Sequence, residues 1–189
     1  SWIALSLLKK ELIIDGLILS ASAKYPQFLI TFQKLIIKID IFFNGRNKLN
    51  NIMERLTTKR FNSNFKPNRT EFDWVSDDED SVDNYIEDDL CGFKVTNGFW
   101  LDMVEGIEST FKDENYLSNN KNLRILLVAG SKDPVGDNGK GVERLYTFLK
   151  DHFKNLSLFT FGNGRHEIFS DLNKDRRYKL LTDFFDEEI

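Results

Sequence analysis

The chain of 189 residues is 41% hydrophobic and 30% charged, with a net charge of −4. That is the balance of one globular domain with a sizeable core. A single cysteine, Cys91, excludes an internal disulfide and gives no sign of an oxidising compartment. The apolar stretch Leu35 to Phe43 is broken by Lys38 and Asp40 and is too short to span a bilayer. No signal-peptide pattern opens the chain, so the expected location is cytoplasmic.

Residues 1–11 carry Trp2, Leu5 and Leu8, then Leu12, at three- and four-residue spacing, which predicts a helix with one buried stripe. Residues 12–20 turn at Asp15-Gly16 into a short apolar strand of the kind a parallel sheet buries on both faces. Residues 24–69 read as helical and basic, with ten Lys or Arg against Asp40 and Glu54. Residues 70–90 reverse the sign, with ten Asp or Glu and no cation. Pro67, ringed by Asn62, Asn64 and Asn68, marks a loop between helical pieces. A helix is predicted over 98–113 with Phe99, Trp100, Met103, Val104 and Ile107 on one side, then a polar loop over 115–122. Strands follow at 123–128 and 157–161, with a helix at 139–154 between them and a last helix over 168–186. A helical insertion of this length between sheet strands is a subdomain rather than a loop.

Two loops carry the chemistry. Gly130-Ser131-Lys132-Asp133-Pro134-Val135-Gly136 follows the strand at 123–128, and Gly162-Asn163-Gly164-Arg165-His166-Glu167 follows the strand at 157–161. Asp133 and His166 therefore both fall at the C-terminal edge of the sheet, where open α/β sheets place their sites. An imidazole activates a serine hydroxyl by taking its proton, and a carboxylate fixes the imidazole tautomer. Alone, the pair would read as an ordinary loop His and an Asp-Pro turn. The glycines at 130, 136, 139 and 141 do not form the G-x-x-x-x-G-K-[ST] phosphate loop, because Gly141 follows Lys140. The acidic run has no glycine before Gly92, which the Ca²⁺-loop pattern requires, so it reads as a solvated face, paired in part with the basic half. His152 reads as a solvated residue in mid-helix, and Cys91 as a buried inert thiol. Phe28, Ile30, Phe32, Leu35 and Ile36 line either an acyl channel or the insertion's own core.

Thr70-Glu71-Phe72-Asp73-Trp74-Val75-Ser76, then Val82-Asp83-Asn84-Tyr85 through Asp88, Cys91-Gly92-Phe93, and later Asp133-Pro134-Val135-Gly136 with Gly139-Lys140-Gly141-Val142, stand in one order across most of the chain. In this the chain resembles the α/β-hydrolases of the lysophospholipase and monoacylglycerol-lipase-like group, the serine aminopeptidase domain family. It departs from that group's pattern at Asp77, where Arg is usual, and at Asp89, where Pro is usual. The resemblance implies an α/β fold: the C-terminal portion of an α/β-hydrolase, parallel sheet strands 6–8 with flanking helices, carrying a helical cap insertion. Residues 1–23 and 119–189 would be hydrolase core, and residues 24–118 the cap. It implies a serine ester hydrolase working through an acyl-serine, with Asp133 and His166 as acid and base and with no cofactor or metal. Ser1-Trp2-Ile3-Ala4 is similar to the segment after the family's G-H-S-M-G-S, which puts the nucleophile three positions before Ser1. The expected partners are a small lipid ester and an N-terminal complementing fragment, with no nucleic acid and at most peripheral membrane contact. The competing readings are an inactive remnant, one half of a split hydrolase, or a non-enzymatic interaction module.

Overall fold

The computed structural model describes residues 1–10, 14–112 and 122–186. The expectations for Leu12, Ile13 and most of the 115–122 loop lie outside those residues. Three parallel strands, β1 (Gly16–Ser20), β2 (Arg124–Gly130) and β3 (Asn155–Phe161), form a sheet in the order β1-β2-β3. The register pairs Leu17 with Ile125 and Leu127 with Leu158.

The central strand shows why its sequence is apolar throughout. Side chains alternate across a strand. Ile125, Leu127 and Ala129 enter one core with Leu5 and Leu8 near helix α1 (Trp2–Leu7) and with Val142, Leu145 and Leu149 of α7 (Lys140–Leu149). Leu126 and Val128 enter a second core with Phe161 and Ile168, against which Leu180 and Phe184 of α8 (Lys174–Asp186) pack. Helices thus cover both faces of the sheet, as parallel sheets require. β1 fares differently: of its residues only Leu19 is buried.

Between β1 and β2 the described residues form a series of helices joined by loops. The chain runs through α2 (Gln27–Asn44), α3 (Asn51–Glu54), a π-helical stretch Arg55–Lys59, α4 (Arg60–Asn62), α5 (Glu79–Glu87) and α6 (Asn97–Lys112). These build a third core from Ile30, Ile37, Met53, Leu101, Val104 and Ile107. Asn50 caps α3 by accepting from the Met53 N–H at 2.7 Å and ties it to α6 by donating to Asn97 Oδ1 at 2.6 Å.

Several elements differ from the sequence reading. α6 buries Leu101, Val104 and Ile107, while Phe99 faces solvent and Trp100 and Met103 are half-buried. His152 lies beyond the end of α7, with its ring 5.3 Å from that of Phe148. Cys91 is half-buried, and burial together with the neighbouring Asp88 carboxylate pushes its thiol pKa up. The last helix begins at Lys174 rather than near 168, because Asp171 and a left-handed Asn173 (φ 63°) hold the preceding segment as a loop. The apolar set proposed for α2 divides: Ile30 is in the core, Ile36 is packed against it, and Phe28, Phe32 and Leu35 are exposed. From the basic stretch, Arg69 pairs with the acidic run, reaching Asp83 at 2.7 Å and Glu79 at 4.0 Å.

Candidate active site

Because the strands are parallel, the loops after β1, β2 and β3 leave the sheet at the same edge. Asp133 sits three residues beyond the end of β2. Its backbone N–H donates to the Gly130 carbonyl at 3.2 Å, and the Val135 N–H donates to its Oδ1 at 2.9 Å. The loop after β3 is laced onto the Asp loop. Lys132 N–H donates to the Gly164 carbonyl at 2.9 Å, and Asn163 N–H to Ser131 Oγ at 2.9 Å. Gly130 makes this approach feasible: a Cβ there would lie 2.2 Å from the Gly164 carbonyl oxygen, so no larger residue fits.

The two loops bring the predicted pair together. His166 Nδ1 lies 3.1 Å from Asp133 Oδ1, with the Asp side chain 1% exposed and the His side chain 23% exposed. Asp133 Oδ2 is buried with no hydrogen-bond partner among the described residues, so the imidazole is the main side-chain partner of this carboxylate. Burial opposes charge on the imidazole. The hydrogen bond and charge of Asp133, with Glu167 adding to them, outweigh it and raise the His166 pKa above its ordinary value. With Nδ1 held by the carboxylate, Nε2 is the nitrogen left to exchange a proton with a substrate or a nucleophile.

Sequence reasoning missed the residues that hold this pair. Tyr25, between β1 and α2, donates its hydroxyl to the Val135 carbonyl at 2.8 Å. Burial, then the charge of Asp133, raises its phenol pKa well above the usual value. On the other side, the His loop is bonded to the segment 73–77. Glu167 N–H donates to the Val75 carbonyl at 2.8 Å, and the Trp74 ring stands 5.4 Å from the His166 ring. Ser76 Oγ donates to the Ser170 carbonyl at 2.9 Å, Asp77 N–H to Asp171 Oδ1 at 2.9 Å, and Leu172 N–H to Asp77 Oδ1 at 2.7 Å. Asp171 is fully buried and also takes the Arg165 N–H and the Arg177 guanidinium. Asp73 closes its own turn by accepting from the N–H groups of Arg69 and Thr70 and the Thr70 hydroxyl. Burial opposes its ionisation, but these donors keep its carboxyl below the usual range. The only signal for this network was the run of polar residues inside the two motifs.

Ser131 Oγ receives the Asn163 N–H, Ser76 Oγ bonds Ser170, and Ser22 Oγ donates to the Ser20 carbonyl at 3.5 Å. Among the described residues no group of three or more His, Cys, Asp or Glu could hold a metal ion. Nor, among them, is any helix long and apolar enough to cross a membrane.

Residues 1–173 match the serine aminopeptidase, S33 family. The chain belongs to this family of α/β-hydrolases. No curated protein sequence matches the chain. Among solved structures it is similar to a highly thermostable carboxyl esterase from Bacillus coagulans in complex with glycerol, with a TM-score of 0.78 and 20% identity over 96% of this chain. It is similar also to a lipase in its open form, with a TM-score of 0.79 and 21% identity over 98% of the chain. A monoacylglycerol lipase of Paleococcus ferrophilus superposes with a TM-score of 0.64 and 19% identity over 97%. At these identities the likeness is one of fold. The chain covers 59%, 61% and 63% of the lengths of those three structures.

Proposed function

We propose that this chain is the acid–base part of a serine ester hydrolase of the lysophospholipase and monoacylglycerol-lipase type. In this reading Asp133 orients His166, and Nε2 of His166 takes the proton of a serine hydroxyl as that oxygen attacks an ester carbonyl. The imidazolium, stabilised by the buried Asp133 carboxylate, then gives the proton to the leaving alcohol. Water repeats the cycle on the acyl-serine. The observation that carries the reading is the 3.1 Å contact between His166 Nδ1 and a fully buried Asp133. The nucleophile and the oxyanion donors would come from outside residues 1–189. The three similar structures are longer than this chain by more than a third of their own length.

We assign residues 1–23 and 119–189 to the hydrolase core and 24–118 to a cap; the separate core of Ile30, Ile37, Met53, Leu101, Val104 and Ile107 supports this division. A small lipid ester as substrate is supported by α2. Its Phe28, Phe32, Leu35, Ile39 and Phe42 form a 4-3-4-3 stripe of exposed apolar side chains on a helix that starts seven residues after β1 ends. Such a face fits an acyl chain or a peripheral lipid surface. A second reading, one half of a split hydrolase completed by an N-terminal fragment, is favoured by β1, whose residues other than Leu19 are only half-buried. Either way we place the protein in the cytoplasm.

Fluorophosphonate labelling and p-nitrophenyl ester turnover test these readings, with residues 1–189 alone and mixed with the product of any upstream coding segment. The chain alone is expected to match its own His166→Ala variant, since losing even one oxyanion donor typically costs about 10²–10³ in rate. Mixing with the upstream product is expected to restore turnover. His166-dependent turnover by the chain alone would overturn the assignment and direct the search to Ser1, Ser20 and Ser131.

A further inference from the structure

We propose that Arg165 is a positioning residue for His166, acting by bolting the segment 73–77 onto the His loop. The inference rests on the catalytic reading of the Asp133–His166 pair. Arg165 immediately precedes His166, and its guanidinium Nη1 donates to two carbonyls of the opposite segment, that of Asp73 and that of Ser76, the latter at 2.8 Å. The guanidinium also stacks on the Phe65 ring at 4.4 Å, and the Arg165 N–H donates to Asp171 Oδ2 at 3.0 Å. The residue is therefore held from three sides.

The consequence for His166 follows from what lies between the two carbonyls. Asp73 and Ser76 bracket Trp74 and Val75, whose own carbonyls receive the N–H groups of His166 (3.4 Å) and Glu167 (2.8 Å). One guanidinium nitrogen, Nη1, thus serves both ends of the short stretch on which the His166 backbone rests. The bolt also joins the helical insertion to the catalytic loop. Any motion of the insertion that opens the site must therefore occur in other parts of it, such as α2, and leave residues 73–77 in place.

The test is nuclear magnetic resonance of the ¹⁵N-labelled protein, whose two histidines, His152 and His166, are told apart with a His152→Gln variant. In the wild type the His166 Nδ1–H is expected as a downfield, slowly exchanging signal. Arg165→Met is expected to abolish that signal and move the His166 titration down towards the ordinary value near ~6.5. The amide shifts of β2 should stay unchanged, and Arg165→Lys should restore the signal in part. An unchanged signal and titration in a folded Arg165→Met protein would overturn the proposal. If that variant does not fold, wild-type hydrogen exchange decides. The Glu167, Asp77 and Leu172 amides should open as one unit, and free exchange at Glu167 with protection at Asp77 would overturn it. Failure of the catalytic reading is separate: it would appear as ester turnover that survives His166→Ala in the complete enzyme, with the spectroscopic result unaffected.

Discussion

Two surfaces of the helical insertion meet opposite surroundings. The segment 73–77 is polar and locked, its carbonyls, hydroxyl and carboxylate engaged by Arg165, Glu167, Ser170 and Leu172 of the His loop. The outer face of α2 is apolar and open, with Phe42 82% exposed and Phe28 70% exposed. Burial makes each polar pairing count, and a network of such pairs favours one geometry. An apolar face is non-directional and accepts many shapes. On the proposed reading, the locked side fixes the imidazole and the open side meets an apolar partner of variable shape.

Breaking the locked side should cost most. Asp171→Ala removes the carboxylate that serves the Asp77 and Arg165 N–H groups and the nearly buried Arg177 guanidinium. Stranding a buried charge costs about 3–5 kcal/mol. For a chain of this size that corresponds to a fall in Tm of roughly 6–20 °C. Calorimetry or urea unfolding checks it; a loss no larger than that of an ordinary surface substitution would show that the network is not what holds the loop.

The open side should respond in the reverse sense. Phe32→Ser with Phe42→Ser is expected to leave stability within about 0.5 kcal/mol, because both rings already face water. If lipid is the partner, losing two inserted rings should weaken binding to phospholipid vesicles by about 2–3 kcal/mol, roughly 30–150-fold. Vesicle flotation measures this, and equal binding by the double variant would remove α2 from the lipid-facing surface.

How far the sequence disclosed these features depended on periodicity. β2 was legible because its residues are buried on both faces and the sequence there is uniformly apolar. Asp133 and His166 were legible because each follows a strand that ends at the same sheet edge. The division of α2 was not, since a helix with apolar residues on two sides does not say which of them meets its own core; Ile30 and Ile37 turned inward and Phe32 and Leu35 outward. The polar lock was not legible either. Arg165 to Ser76 and Arg177 to Asp171 are contacts set by the tertiary fold, and no spacing announces them. The same lock accounts for the misplaced start of α8, since Asp171 spends its side chain on Asp77, Arg165 and Arg177 instead of on a helix end.

Within the site, Asp133→Asn sharpens the comparison by removing charge and keeping shape. The raised pKa of His166 means that the pair's contribution to stability is fully present below the ordinary histidine value. It is lost as pH rises through the higher folded value. The variant should lower the His166 titration and flatten that part of the stability–pH curve, which urea midpoints on either side of about pH 6.5 would reveal. A His166 titration unchanged in Asp133→Asn would mean that Asp133 does not set its charge.

The smallest effect expected is a gain. Asp77 accepts the Leu172 N–H while facing Asp171. Burial, and then the Asp171 carboxylate, raise its pKa above the ordinary value, against the partial opposition of that N–H and of Arg177. A raised carboxyl pKa means that protonation favours the folded state. The favourable contribution is present below the unfolded value and is lost as pH climbs through the folded one, so at neutral pH the ionised Asp77 is a cost. Asp77→Asn keeps the acceptor for Leu172 and offers Asp171 an N–H in place of a second negative charge. It should stabilise the protein at neutral pH by about 0.5–1 kcal/mol, the net worth of one hydrogen bond. The advantage should shrink as pH falls through the raised folded value and be gone below about 4, where the carboxyl is protonated in folded and unfolded chains alike. Paired urea unfolding curves across that range decide the matter: a variant that is less stable at neutral pH, or equally favoured at every pH, would show that the two carboxylates do not repel across this junction.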